Sequence, residues 1–127
     1  MGILSVIVAA AAGWIVGAVW YGINGRRWMA AAGLTEETVN RKDPVPYVAS
    51  FLLLLLVAGM TRHIFAGAGI ATPGAGLIGG LGLGLFIAVP WLVTNYLYAR
   101  RSPTLMLIDG AYAAMGSAAI GLVLTLV

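Results

Sequence analysis

A chain of 127 residues that is 61% hydrophobic and only 9% charged cannot supply the polar surface of a soluble domain, in which roughly 25% of residues are charged. The length allows one domain, 1–127, and the absence of cysteine excludes disulfides and thiolate metal sites. The net charge of +3 is expected to report membrane topology, because loops on the cytoplasmic side collect Lys and Arg; no basic run is interleaved with aromatics on a soluble stretch, so no nucleic-acid partner is expected.

The first apolar span runs over about 3–23 without a charge, enough to cross a hydrocarbon layer of about 30 Å as a helix. No Lys or Arg precedes it, it is longer than a signal-peptide core, and Arg26 and Arg27 follow it, so it is expected to stay as a membrane anchor with its start outside. Gly13 and Gly17 make a GxxxG pair suited to close helix packing. Trp20, Tyr21 and Trp28 gather at the cytoplasmic end, where headgroup anchoring is the expected role and a ligand cage the alternative.

The polar connection 24–45 holds Arg26, Arg27, Arg41 and Lys42 and is expected to face the cytoplasm. Residues 26–32 read as a short interfacial helix stopped by Gly33. Thr35 followed by Glu36 and Glu37 reads as a fresh helix start, with a capping hydroxyl and acids in the first turn. Pro44 and Pro46 open the second span, about 47–65, whose leucine-rich stretch suits lipid. His63 is the one histidine; without further ligands nearby it points to no metal site.

The third span, about 74–98, places Gly76, Gly80, Gly84 and Ala88 at intervals of four, one smooth face that a neighbouring backbone can approach. Pro90 is expected to break a backbone hydrogen bond and bend the helix. The glycine run 79–84 lacks the Lys-Ser/Thr ending of a phosphate loop. Arg100 and Arg101 form a tight basic turn, and Ser102-Pro103 is a helix start signal for the fourth span, about 103–126. Ala113, Ser117 and Gly121 give that span its own small-residue face.

Asp109 is the one carboxylate inside a span. Asn95 on the facing helix and Tyr112 one turn further on are expected to share its neighbourhood, with Arg100 and Arg101 at the cytoplasmic end. A carboxylate at membrane depth is costly and needs partners. It reads as a hydrogen-bonded lock between helices, or as a proton or cation site.

The order of Gly17-Ala18-Val19-Trp20-Tyr21, Trp28, Gly33-Leu34-Thr35-Glu36-Glu37, Asn95-Tyr96-Leu97 and Ile108-Asp109-Gly110-Ala111-Tyr112 resembles the small bacterial membrane proteins grouped as domain of unknown function 1761, over nearly the whole chain. The resemblance implies a four-helix inner-membrane protein and carries no activity with it. It also implies Asn where this chain has Asp109, so no role is transferred to that residue.

The expected fold is all-α: a polytopic membrane protein, an antiparallel bundle of four transmembrane helices, in the bacterial inner membrane with both termini outside. No enzyme is expected, since no nucleophile–base pair or metal constellation is present. The preferred function is an auxiliary or scaffold subunit of a larger respiratory or photosynthetic membrane complex, because small-residue faces on three spans exceed what one bundle needs. The alternative is a small homo-oligomeric transporter or channel using Asp109. Partners are then membrane lipids and other membrane subunits or further copies of the chain; no cofactor is expected, although a bound lipid or neighbouring pigment is compatible.

Overall fold

A computed structural model describes residues 2–127. Four helices account for most of them: α1 (Ile3–Ala32), α2 (Val45–Ala68), α3 (Pro73–Tyr98) and α4 (Pro103–Leu126), each long and apolar enough to cross a membrane. The fold is an all-α four-helix bundle and the chain is a multi-pass membrane protein.

The helix ends follow local chemistry. Thr72 Oγ1 accepts from the Ala75 amide and Ser102 Oγ from the Leu105 amide, each with proline at the first helical position, where its missing N–H would have had no partner. Gly33 and Gly69 end α1 and α2 in the left-handed region, at φ 74° and 73°, which glycine adopts without a Cβ clash.

Helix α1 does not stop near residue 23. It continues through Arg26 and Arg27 for 30 residues, about 45 Å at ~1.5 Å per residue, longer than a hydrocarbon layer of about 30 Å requires. Asn24, the residue that would have ended the span, instead donates from Nδ2 to the Trp20 carbonyl one turn back at 3.0 Å, and the helix runs on. The expected helix start at Thr35 also does not form. Thr38 Oγ1 accepts from the Thr35 amide at 2.8 Å and closes an isolated turn, and the exposed Glu36 pairs with Arg41 at 3.1 Å. So short a segment, with Asn40, Asp43 and Pro44 behind it, has too few residues to offset helix nucleation.

Helix α4 lies between the others and is the most buried of the four. It packs against α1, α3 and α2; α2 leans mainly on α1 and touches α3 only sparsely. Helices α1 and α3 do not pack backbone against backbone among the described residues. The apolar core, Ala9, Ala10, Ala58, Phe65, Ile120 and Leu124, fills the half of the bundle away from Arg26, Arg27, Arg100 and Arg101.

The closest backbone approach is between α3 and α4. A Cβ added at Gly76 would meet the Gly121 carbonyl at 2.5 Å, one at Gly84 the Ala113 carbonyl at 2.7 Å, and one at Gly80 the Ser117 carbonyl at still shorter range. Ala88 falls out of this row and is exposed. The cause is a π-helical turn at Gly84–Ala88, in which the Val89 amide bonds the Gly84 carbonyl. Pro90 cannot donate to the preceding turn, and the helix loosens just ahead of it. The extra residue per turn rotates the register, and Val89 rather than Ala88 then meets α4, beside Gly110.

On α1 the glycines accommodate side chains instead of a backbone. Gly17 lies under the Tyr112 ring and Gly13 under Ile120. The small-residue faces of α1, α3 and α4 are therefore occupied within the bundle itself. That removes the surplus from which docking helices were expected.

Candidate functional site

Asp109 lies six residues into α4 from Pro103, about 9 Å along the axis at ~1.5 Å per residue, and is 9% exposed. Its carboxylate is built into a cluster of neutral donors. Tyr21 O–H donates to Oδ1 at 2.5 Å and Trp28 Nε1–H to the same oxygen at 3.1 Å. Tyr96 O–H donates to Oδ2 at 2.6 Å. Two of these donors come from α1 and one from α3, so helices that do not pack together are joined across α4 by one side chain.

The α1 donors are set by helical spacing. Gly17, Tyr21, Asn24 and Trp28 follow at steps of four, three and four, which keeps them on one face. Gly17, lacking a side chain, leaves room for the Tyr112 ring, which stacks edge-on against Tyr21 at 5.4 Å between centroids. Tyr21 and Trp28 also meet edge-on at 6.0 Å. Trp20 joins the same junction by donating to the Ile108 carbonyl at 2.9 Å. These aromatics, expected at the headgroups, are turned into the bundle. A buried acceptor at membrane depth gives their N–H and O–H groups partners that the hydrocarbon lacks.

Two expected neighbours of Asp109 are placed differently. Tyr112 points along the bundle and donates to the Gly13 carbonyl at 3.0 Å. Its position three residues on puts it on the α1 side of α4, but reaching toward the N-terminal half of α1 and away from the carboxylate. Asn95 is exposed and shares only the cleft that opens on Asp109; its neighbour Tyr96 takes the bonding position.

That cleft has a volume of about 320 Å³ and is bounded by Trp28, Ala32, Asn95, Tyr96, Arg101 and Leu105, among others, with Asp109 at its wall. Arg101 is held there by a bond from Nη2 to the Ala32 carbonyl at 3.1 Å, and Ser102 Oγ donates to the Ala31 carbonyl at 3.2 Å. Both satisfy carbonyls left open at the end of α1. Arg100 turns the chain at φ 57°. Arg26, Arg27, Lys42 and Arg100 are exposed around the same end, and Arg41 is there in its pair with Glu36.

The donor signal was present in the sequence, because a Gly17-Tyr21-Asn24-Trp28 row is polar and aromatic on a single face. Its direction, inward or toward headgroups, was not.

No curated protein and no solved structure matches the chain. A family model covering residues 4–125 does match, and the chain belongs to the family described as protein of unknown function (DUF1761).

Proposed function

We propose that the protein is a non-catalytic subunit of the bacterial inner membrane that docks other membrane helices, as an auxiliary or scaffold component of a larger respiratory or photosynthetic complex. Both termini lie outside and the arginine-rich loops lie in the cytoplasm, as the distribution of Arg26, Arg27, Arg41, Lys42, Arg100 and Arg101 favours.

The observation that carries the proposal is the outer face of α3. This helix is held mainly by α4 on one side. On its free side the π-turn and Pro90 open a groove of about 250 Å³ lined by Phe86, Ile87, Pro90, Trp91 and Thr94, with Phe86 76% and Trp91 68% exposed. Tryptophan favours the headgroup level, whereas Trp91 lies seven residues from the end of α3, about 10 Å inside at ~1.5 Å per residue. A large aromatic beside a distorted backbone suits a knob-and-groove contact with another helix. Purification from native membranes in mild detergent, followed by mass spectrometry of the intact particle, tests this. Stoichiometric companion subunits support it; a particle containing this chain alone sinks it.

A second reading, a small homo-oligomeric transporter or channel, is favoured by one observation: Asp109 borders an open cleft. Under it, Asp109→Asn abolishes proton or cation flux into proteoliposomes while assembly persists. Against it, the bundle beyond the carboxylate is filled by the apolar side chains of Phe65, Ile120 and Leu124.

A further inference from the structure

The three donors to Asp109 are all neutral: two phenols and an indole. They fill three of the carboxylate's roughly four acceptor positions but carry no compensating charge. Oδ1 accepts two bonds and Oδ2 one, and since each oxygen has room for about two, Oδ2 keeps an acceptor site. The cleft that borders this carboxylate is lined by Trp28, Tyr96 and Arg101, with Arg101 Nη2 bonded to the Ala32 carbonyl beside it. One small space thus holds an anion, two aromatic rings and a cation, with the exposed amide of Asn95 between helices.

We infer that the Asp109 cleft binds a zwitterion made of a primary ammonium and a phosphate, the chemistry of an ethanolamine phospholipid headgroup. The ammonium donates to Asp109 Oδ2 and lies against Trp28 and Tyr96, which attract a cation through their ring faces. The phosphate meets Arg101, whose fork of N–H donors suits phosphate oxygens and still has donors beyond the one given to Ala32. Charge balance favours a zwitterion over either ion alone. A bare cation would neutralise Asp109 and leave Arg101 beside a second positive charge, and a bare anion would bring a second negative charge toward a buried carboxylate. A molecule with both signs neutralises both ends and enters with no net charge, which lowers the cost of placing it below the headgroups. At about 320 Å³ the cleft is at the small end of ligand pockets, a size for a headgroup and not for a lipid's whole body. The inference goes beyond the subunit proposal and does not depend on it.

The test is native mass spectrometry of the full chain, delipidated in mild detergent and titrated with phosphatidylethanolamine or phosphatidylglycerol of matched acyl chains. The expected result is one retained phosphatidylethanolamine per chain, favoured over phosphatidylglycerol by about tenfold or more, as a charge-assisted hydrogen bond implies. Asp109→Asn is expected to erase that preference. Arg101→Gln, which keeps an N–H for the Ala32 carbonyl, is expected to weaken retention of both lipids; Arg101 is exposed, so this variant carries the test if the Asp109 variant does not fold. Soluble O-phosphoethanolamine separates the sources. Competition by it assigns the site to zwitterions from solution as well as from lipid, and lack of competition with the lipid preference intact assigns it to lipid. Equal retention of the two lipids by the wild-type chain, an unchanged preference in Asp109→Asn, or undiminished retention of both lipids in Arg101→Gln overturns the inference.

Discussion

A carboxylate below the headgroup level has to be compensated, and in this chain the compensation is made entirely of hydrogen bonds from Tyr21, Trp28 and Tyr96. Interhelical hydrogen bonds in membranes contribute about 0.6 kcal/mol on average and up to about 1.7. Tyr21→Phe and Tyr96→Phe are each expected to lower stability within that range, read from reversible unfolding in detergent. Asp109→Ala is expected to cost more than the two together, because it leaves three part-buried donors without their shared acceptor, a penalty that reaches about 1–3 kcal/mol for a fully buried group. Equal effects of Asp109→Ala and a single tyrosine change would contradict the shared acceptor. Asp109 itself is legible from sequence as the lone acid within a span. Its α1 partners are not, since they lie 81 and 88 positions away, and an aromatic near a span end reads equally well as a headgroup anchor. Asn95 and Tyr96 are adjacent in sequence, so a rotation of one residue decides which of them bonds the acid.

At the scale of the element, α3 is two helices in one. Its first half is a glycine row pressed onto α4, and its second half is rotated by the π-turn at Gly84–Ala88. The two kinds of glycine on it should behave oppositely. Gly80→Ala drives a Cβ into the backbone at Ser117 and Gly121, and overpacking of this sort costs about 1–3 kcal/mol. Gly82→Ala meets nothing within 4 Å and gains the roughly 0.5–1 kcal/mol by which alanine exceeds glycine within a helix. Thermal unfolding of the two variants, one shifted down and one unchanged or up, checks the α3–α4 contact. The spacing of Gly76, Gly80 and Gly84 is visible in the sequence. The loss of Ala88 from the row is not, because a repeat of four assumes an unbroken α-helix, and proline states that a hydrogen bond is missing without saying how the preceding turn relaxes. The same limit applies to α1: Arg26 and Arg27 end the uncharged run, which differs from where the helix ends at Ala32.

At the scale of the molecule, the four spans, their order and the short α3–α4 turn follow from apolar run length and from Pro and Gly punctuation, and all four appear as helices. Which helix is central was not legible. Helix α4 takes that place because it combines small residues for α3 with Tyr112, Ile120 and Asp109 for α1, a two-sided role that apolar content alone does not distinguish. Its neighbours bury the glycine faces internally, and so an interaction surface has to be sought on the free side of α3. Cysteines placed singly at Arg27, Arg100 and Ala71 test the orientation in intact cells: the first two are expected to resist an impermeant thiol reagent and the third to react, and the reverse pattern inverts the topology.

The most direct measurement of the proposed docking role is photo-crosslinking in native membranes from a photoreactive amino acid at Trp91, with the exposed Leu53 of α2 as the comparison position. The expected result is a discrete higher-mass product from position 91, containing a second membrane protein, and a diffuse lipid background from position 53. Lipid adducts alone from both positions would show that the α3 groove faces the bilayer, and the subunit proposal would be abandoned.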